Sequence, residues 1–214
     1  MRFENVLKRT ALVAAMVSCT LVSRAQFAGT GARDSFLDTT ILRPPAGAKV
    51  ALIVFEDLGC PACARAHPFE LDTVKQTHVT MMRHDFPLEA HVWTYAGAVC
   101  ARYVQDTYGP AMAEEFRSTV FKTQAMYYTD DDIRRFLGTW LAKHGKKMPT
   151  VLDPGGKLNK EVSADRDLGK RLNVEFTPTI VVVTRNNYQV VCGGKDGACD
   201  PAKIVDVVKA AQAK

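Results

Sequence analysis

The apolar positions change period several times along the chain, and each change marks an element. Val50-Ala51-Leu52-Ile53-Val54-Phe55 is an unbroken β-prone run, the pattern of a strand buried on both faces of a central sheet. From Pro61 the spacing is helical to about Gln76, and Pro68 is expected to kink that helix because it lacks an amide donor. Val79 to Met82 reads as a second strand. Helical spacing then returns in three stretches: about Ala90 to Asp106, about Ala111 to Lys122, and one capped by Thr129. Asp130, Asp131 and Asp132 fall in the first turn of the third, where carboxylates favour the positive helix end, so they are read as capping rather than metal-binding. After Met148-Pro149 and Pro154-Gly155-Gly156, a helix is predicted over Lys157 to Leu172. The strands Thr179 to Val183 and Tyr188 to Val191 form a hairpin about Asn186-Asn187, and Pro201 to Ala213 closes as an amphipathic helix. The order is strand, helix, strand, helical block, helix, strand, strand, helix, an α/β arrangement that 214 residues can fold as one domain with an insertion.

The first 25 residues stand apart. Arg2, Lys8 and Arg9 precede the apolar run Ala11 to Val22, too short to span a bilayer comfortably, and Ser23-Arg24-Ala25 offers small residues at a cleavage site. Residues 1–25 are therefore read as a signal peptide and the mature start is placed near Gln26, with lipidation at Cys19 as a rival reading. Export implies a periplasmic or secreted protein. Gly29, Gly31, Pro44, Pro45 and Gly47 make residues 26–49 an arm ahead of the ordered domain. Four basic residues against Glu4 give the signal +3 of the formal +5, leaving +2 for the mature chain. With its cations scattered, that chain carries no nucleic-acid footprint.

Without Cys19 the cysteines are Cys60, Cys63, Cys100, Cys192 and Cys199. Cys60 starts a predicted helix, where free amides and the helix dipole stabilise a thiolate. Cys63, one turn deeper, is placed to attack a mixed disulfide at Cys60 and release the partner. The same spacing serves zinc, so Cys60 and Cys63 with Cys192 and Cys199 make a rival metal-binding reading. A strand leading into the pair and a helix leading out favour redox chemistry. Cys192 and Cys199 bracket a flexible glycine-rich segment and are expected to form a structural disulfide. Cys100, amid apolar residues, is expected to be inert. His78, His84 and His91 straddle a strand, a loop and a helix start, so surface or packing roles are preferred and no metal site is assigned. Trp93, Tyr95, Tyr103, Tyr127 and Tyr128 are read as core or rim.

Four separated features together resemble the DsbA-like branch of the thioredoxin superfamily, in its bacterial group with a helical insertion. They are Cys60-Pro61-Ala62-Cys63, Pro68, Asp85-Phe86-Pro87-Leu88 leading to His91, and Thr177-Pro178-Thr179 before a strand. The resemblance covers about Lys49 to Lys214. It implies a thioredoxin-like fold in two parts, 50–88 and 149–214, with an inserted α-helical domain over 89–148. It implies Cys60 as nucleophile, Cys63 as resolving thiol, and Pro61, Ala62, Thr177 and a cis Pro178 as substrate-binding residues. No cofactor is implied. The implied partners are exported substrate proteins with cysteines and a membrane redox partner, a quinone-linked oxidase or a reductase. With no heptad stretch or dimerisation domain, a monomer is expected.

The chain departs from that pattern at two places. Members often carry a buried acid six positions before the first cysteine, and here that position is Val54; Glu56 and Asp57 lie nearer in sequence and are expected at the surface or in a loop. Ala62 offers no cation, so Cys60 is expected to ionise above about pH 4 and the protein to be a milder oxidant than histidine-containing relatives. The leading reading is a dithiol oxidase, with a reductase or isomerase using the same pair as the alternative.

Overall fold

A computed structural model describes residues 35–214; the expected signal peptide, Cys19 and the first residues of the arm lie outside them. Four strands form one sheet in the order β2-β1-β3-β4: β1 (Val50–Glu56), β2 (Thr80–Asp85), β3 (Thr179–Thr184) and β4 (Tyr188–Cys192). β1 is parallel to β2 and antiparallel to β3, and β3 and β4 form an antiparallel hairpin. The parallel pair is joined by α1 (Pro61–Thr77), the crossover such a pair requires. All seven residues of β1 are buried, because helices cover both faces of the sheet. On one face Val50, Leu52 and Val54 pack with Ala66 of α1 and with Ile204 and Val208 of α6 (Ile204–Gln212). On the other, Ala51, Ile53 and Phe55 pack with Leu172 of α5 (Lys157–Leu172).

Between β2 and α5 stand α2 (Thr94–Tyr108), α3 (Pro110–Thr123) and α4 (Asp130–Lys143). Thr129 caps α4 in a capping box with Asp132, which accounts for one of the three aspartates. The three helices enclose a core of their own, built on Cys100, Phe116, Val120, Ile133, Leu137 and Trp140, and Cys60 and Cys63 belong to that core. α1 runs as one helix through Pro68. The described part of the arm is ordered on the domain, contrary to the expectation that order begins after Lys49. Leu42 is buried against the sheet, and the Leu37 amide donates to the Leu172 carbonyl at 3.1 Å. Among the described residues no helix is long and apolar enough to cross a membrane.

Charge rather than apolar packing joins the insertion to the sheet. Arg117 of α3 is buried and donates to Glu56 at 3.0 Å and to Asp85 at 2.7 and 3.1 Å. Arg83 of β2 donates to Glu56 at 2.6 Å and to Glu114 of α3 at 3.1 Å. Arg102 of α2 donates to Asp85 at 2.6 Å and also to Asp165 of α5, which pairs with His84 at 2.8 Å. Glu56 is thus buried and doubly paired, which corrects the surface reading: the arginines that compensate it come from other elements.

Glu56, His67 and Glu70 each bring one possible metal-ligand atom within 4.8 Å of the others. Both Glu56 oxygens, however, already accept from arginines. Glu70 is the unbalanced member, with neither carboxyl oxygen hydrogen-bonded. Burial pushes its carboxyl up to about 8; Arg83 opposes the shift, and Glu56 and Glu114 add to it. Between its unfolded value and about 8 the folded protein holds a proton that the unfolded chain releases, so stability falls as pH rises through that window. Glu70→Gln keeps the neutral form at every pH. Its stability relative to the parent is expected to rise from pH 5 towards pH 8, by up to about 1.4 kcal/mol per unit. Urea unfolding at several pH values checks this, and a difference independent of pH contradicts it.

Candidate active site

β1 delivers the chain to the dithiol through a tight turn. The Asp57 side chain is buried and accepts from the Gly59 amide at 2.7 Å, from the Leu88 amide at 2.7 Å, and pairs with His91 Nδ1 at 2.8 Å. Its carbonyl accepts from the Cys60 amide at 3.0 Å. Asp57 therefore ties the turn before Cys60 to the loop after β2; it lies in a loop, one of its two expected placements, but buried rather than at the surface. His91 has its partner there rather than in a histidine cluster. Gly59 is required by space: a Cβ would lie 2.6 Å from Thr94 Cγ2 and 3.2 Å from His91 Cβ.

Cys60 is the N-cap of α1, in extended conformation, with Pro61 at the first helical position. Its carbonyl accepts from the Ala64 amide at 3.1 Å and from Gln124 Nε2 at 3.4 Å, and Gln124 also donates to the Leu58 carbonyl at 2.8 Å. Sequence reasoning missed Gln124, because nothing local connects a polar residue at the end of α3 to a turn over sixty residues earlier. The Thr177–Pro178 peptide bond is cis, and the Thr177 carbonyl accepts from Cys60 Sγ at 3.2 Å. The fold thus brings Cys60, Pro61, Ala62, Cys63, Thr177 and Pro178 to one place. Cys60 is 7 % exposed and Cys63 1 %. Both are buried, and the little exposure the pair has is mostly at Cys60.

The two thiols are driven apart electrostatically. Cys60 is lowered to about 5, chiefly by a hydrogen bond from the Cys63 thiol, against the cost of burial; the Thr177 hydroxyl and the Cys63 and Ala62 backbone amides add to it. Cys63 is pushed well above the ordinary thiol range, first by burial and then by its neighbour Cys60. Thr177 Oγ1 is buried and has no hydrogen-bond partner, so its hydroxyl is free to turn towards Cys60. In the thiol form Cys60 donates to the Thr177 carbonyl; the unpartnered Thr177 hydroxyl is the group available to donate to the thiolate.

Cys192 and Cys199 are joined in a disulfide, so their sulfurs are not open to a metal shared with Cys60 and Cys63. Cys100 is fully buried, and burial pushes its thiol up to about 12. Trp93 and Tyr127 stack edge to face in the helical core, whereas Tyr128 is exposed. His84 stacks on Phe55.

Replacing Thr177 with valine keeps the shape and the carbonyl but removes the hydroxyl. The Cys60 thiol is expected to rise by about one unit, the size of one lost hydrogen bond to a charged group. Thiolate absorbance followed against pH checks this, and an unchanged titration contradicts the assignment.

A thioredoxin family model matches residues 38–190. No curated protein matches the chain. Among solved structures, oxidised BdbD from Bacillus subtilis is 20% identical, with 78% of this chain and 88% of that one aligned at a TM-score of 0.56. A periplasmic thioredoxin-like protein from Salmonella enterica serovar Typhimurium is 21% identical over 78% of this chain and 86% of its own, at 0.59. The thiol-disulfide exchange protein alpha-DsbA2 from Wolbachia pipientis is 15% identical over 77% and 82%, at 0.58. At these identities the likeness is one of fold, and it spans the sheet together with the helices between β2 and α5. The chain belongs to the thioredoxin family and has the thioredoxin-like fold of the DsbA-type proteins, helical insertion included.

Proposed function

We propose that this protein is an exported thiol–disulfide oxidoreductase that introduces disulfides into substrate proteins through Cys60 and Cys63. The observation that carries the reading is the asymmetry of the pair: at the helix start a thiol lowered to about 5, beside a more deeply buried one raised well above the ordinary range. In the oxidised protein a substrate thiolate attacks Cys60 Sγ. The Cys60–Cys63 bond breaks, and Cys63 leaves with the electron pair and takes up a proton. A second substrate thiolate then attacks the substrate sulfur of the mixed disulfide and expels Cys60 as a thiolate. Two electrons pass from substrate to protein, and the low value at Cys60 makes it a good leaving group. A quinone-linked membrane partner would reoxidise the dithiol.

The Thr177 backbone beside Cys60 and the exposed Phe176, Val92, Met126 and Tyr128 suit an unfolded, partly apolar protein substrate better than a small thiol. The solved relatives include a protein described as acting in thiol-disulfide exchange. Export rests on the sequence of residues 1–25, and a monomer is expected.

Direction depends on potential. A Cys60 value of about 5 lies between roughly 7 for thioredoxin and roughly 3.5 for DsbA, whose potentials are about −270 and −120 mV. The potential is therefore expected between those two, that of an oxidant of intermediate strength. Equilibration with glutathione checks this; a value below about −250 mV would favour the reductase reading. Cys60→Ser is expected to abolish oxidative refolding of a reduced substrate, and Cys63→Ser, offered a disulfide-bonded substrate, to trap at Cys60 the mixed disulfide formed when its thiolate attacks that disulfide. Refolding activity retained by Cys60→Ser would overturn the proposal.

A further inference from the structure

The exchange reaction leaves one cysteine pair unused. Cys192 ends β4 and is bonded to Cys199, seven residues on. The loop between them is closed further by hydrogen bonds from the Gly193 amide to the Ala198 carbonyl at 3.0 Å and from the Gly197 amide to the Gly194 carbonyl at 2.7 Å. Gly193 and Gly197 both have left-handed φ, +79° and +66°. This loop is pressed against the segment Phe176 to Thr179. A Cβ on Gly193 would lie 2.2 Å from Thr179 Oγ1, 2.8 Å from Thr179 Cα and 2.9 Å from the Pro178 carbonyl oxygen. A Cβ on Gly197 would lie 3.1–3.3 Å from the Phe176 ring. The segment is also closed on itself, since the Thr179 hydroxyl donates to the Phe176 carbonyl at 2.7 Å.

The same four residues present Thr177 to Cys60, with its carbonyl 3.2 Å from Sγ. At the far end the segment is fixed by Thr179, which enters β3 opposite Phe55. At its near end the Val174 amide donates to the Gly169 carbonyl at 2.9 Å and Glu175 accepts from Ser35 at 3.0 Å, and between the two ends the disulfide loop packs on the segment. The Thr177 hydroxyl has no hydrogen-bond partner to hold it, so the backbone alone sets its position.

We propose that the Cys192–Cys199 bridge is a positioning device for the nucleophile: it holds the glycine loop against residues 176–179 and so fixes Thr177 at Cys60 and sets the reactivity of that thiol. The purpose of this arrangement rests on the exchange reaction proposed above, but the coupling itself does not. A hydrogen bond to a thiolate weakens steeply when donor and acceptor drift apart. Loosening the loop therefore removes stabilisation from the Cys60 thiolate without touching any residue that contacts it.

Two variants test this: Cys192→Ala with Cys199→Ala, and Gly193→Ala, which keeps the bridge but drives a methyl group into Thr179 and the Pro178 carbonyl. The catalytic pair is reduced with glutathione, peptide mass confirms that the second bridge in the parent and in Gly193→Ala is intact, and alkylation of Cys60 is followed against pH. Both variants are expected to raise the Cys60 midpoint by about 0.5 to 1 unit. Alkylation near pH 4.5 should then slow by roughly three- to tenfold. Midpoints within about 0.2 unit of the parent, with lower thermal stability alone, would show that the bridge only staples the fold. If the double variant does not fold, Gly193→Ala decides by the same criterion. The readout needs no substrate protein, so a shifted midpoint without refolding activity would overturn the proposed function and leave this coupling standing.

Discussion

Arg117 lies out of solvent with its guanidinium shared between Glu56 at 3.0 Å and Asp85 at 2.7 Å, the last residues of the two parallel strands. It reaches them from α3, in the helical insertion, and it is the contact on which the rest of the site depends. Removing one member of such a buried set leaves a charge uncompensated and costs about 3–5 kcal/mol, whereas an apolar replacement of the whole set can be neutral. The network therefore specifies an arrangement more than it adds stability. It fixes the insertion over the carboxyl ends of β1 and β2, where the chain turns into the dithiol.

Beyond Glu56 the chain passes through a short relay of constraints. Asp57 gathers the Gly59 amide, the Leu88 amide and His91 around one carboxylate, and its carbonyl takes the Cys60 amide. Cys60 is thereby held as the N-cap of α1 from one side, while Gln124 of the insertion and Thr177 of the opposite loop close on it from the other two. Burial raises both thiols, but Cys60 meets several donors that outweigh it, whereas Cys63 does not. A difference in reactivity thus arises between residues three apart, with no cation at Ala62.

Much of this is legible in sequence where the signal is local. The Val50 to Phe55 run, the helix behind Pro61, the Asn186-Asn187 hairpin and the helix Lys157 to Leu172 emerge from apolar period and turn chemistry, and the structure places the last at those same bounds. The departures come from partners distant in sequence. Glu56 and Asp57 are charged residues after an apolar run and so read as the strand leaving the core. Their compensation by Arg83, Arg117 and His91 depends on strand register and on how the insertion docks, which no window of a single sequence contains. The arm departs from expectation for the same reason. Its glycines and prolines describe a chain without regular structure, and Leu42 is nonetheless buried because irregular backbone can still cover a sheet face. Of Gln124 the sequence says nothing.

The central claim is that the fold makes two neighbouring thiols unequal, and the direct test is a spectrophotometric titration of the reduced protein at the thiolate absorption band. One thiol ionising near pH 5, with its partner still protonated above pH 9, is the result this account predicts. Two thiols titrating together near the ordinary cysteine value of about 8.5 would contradict it.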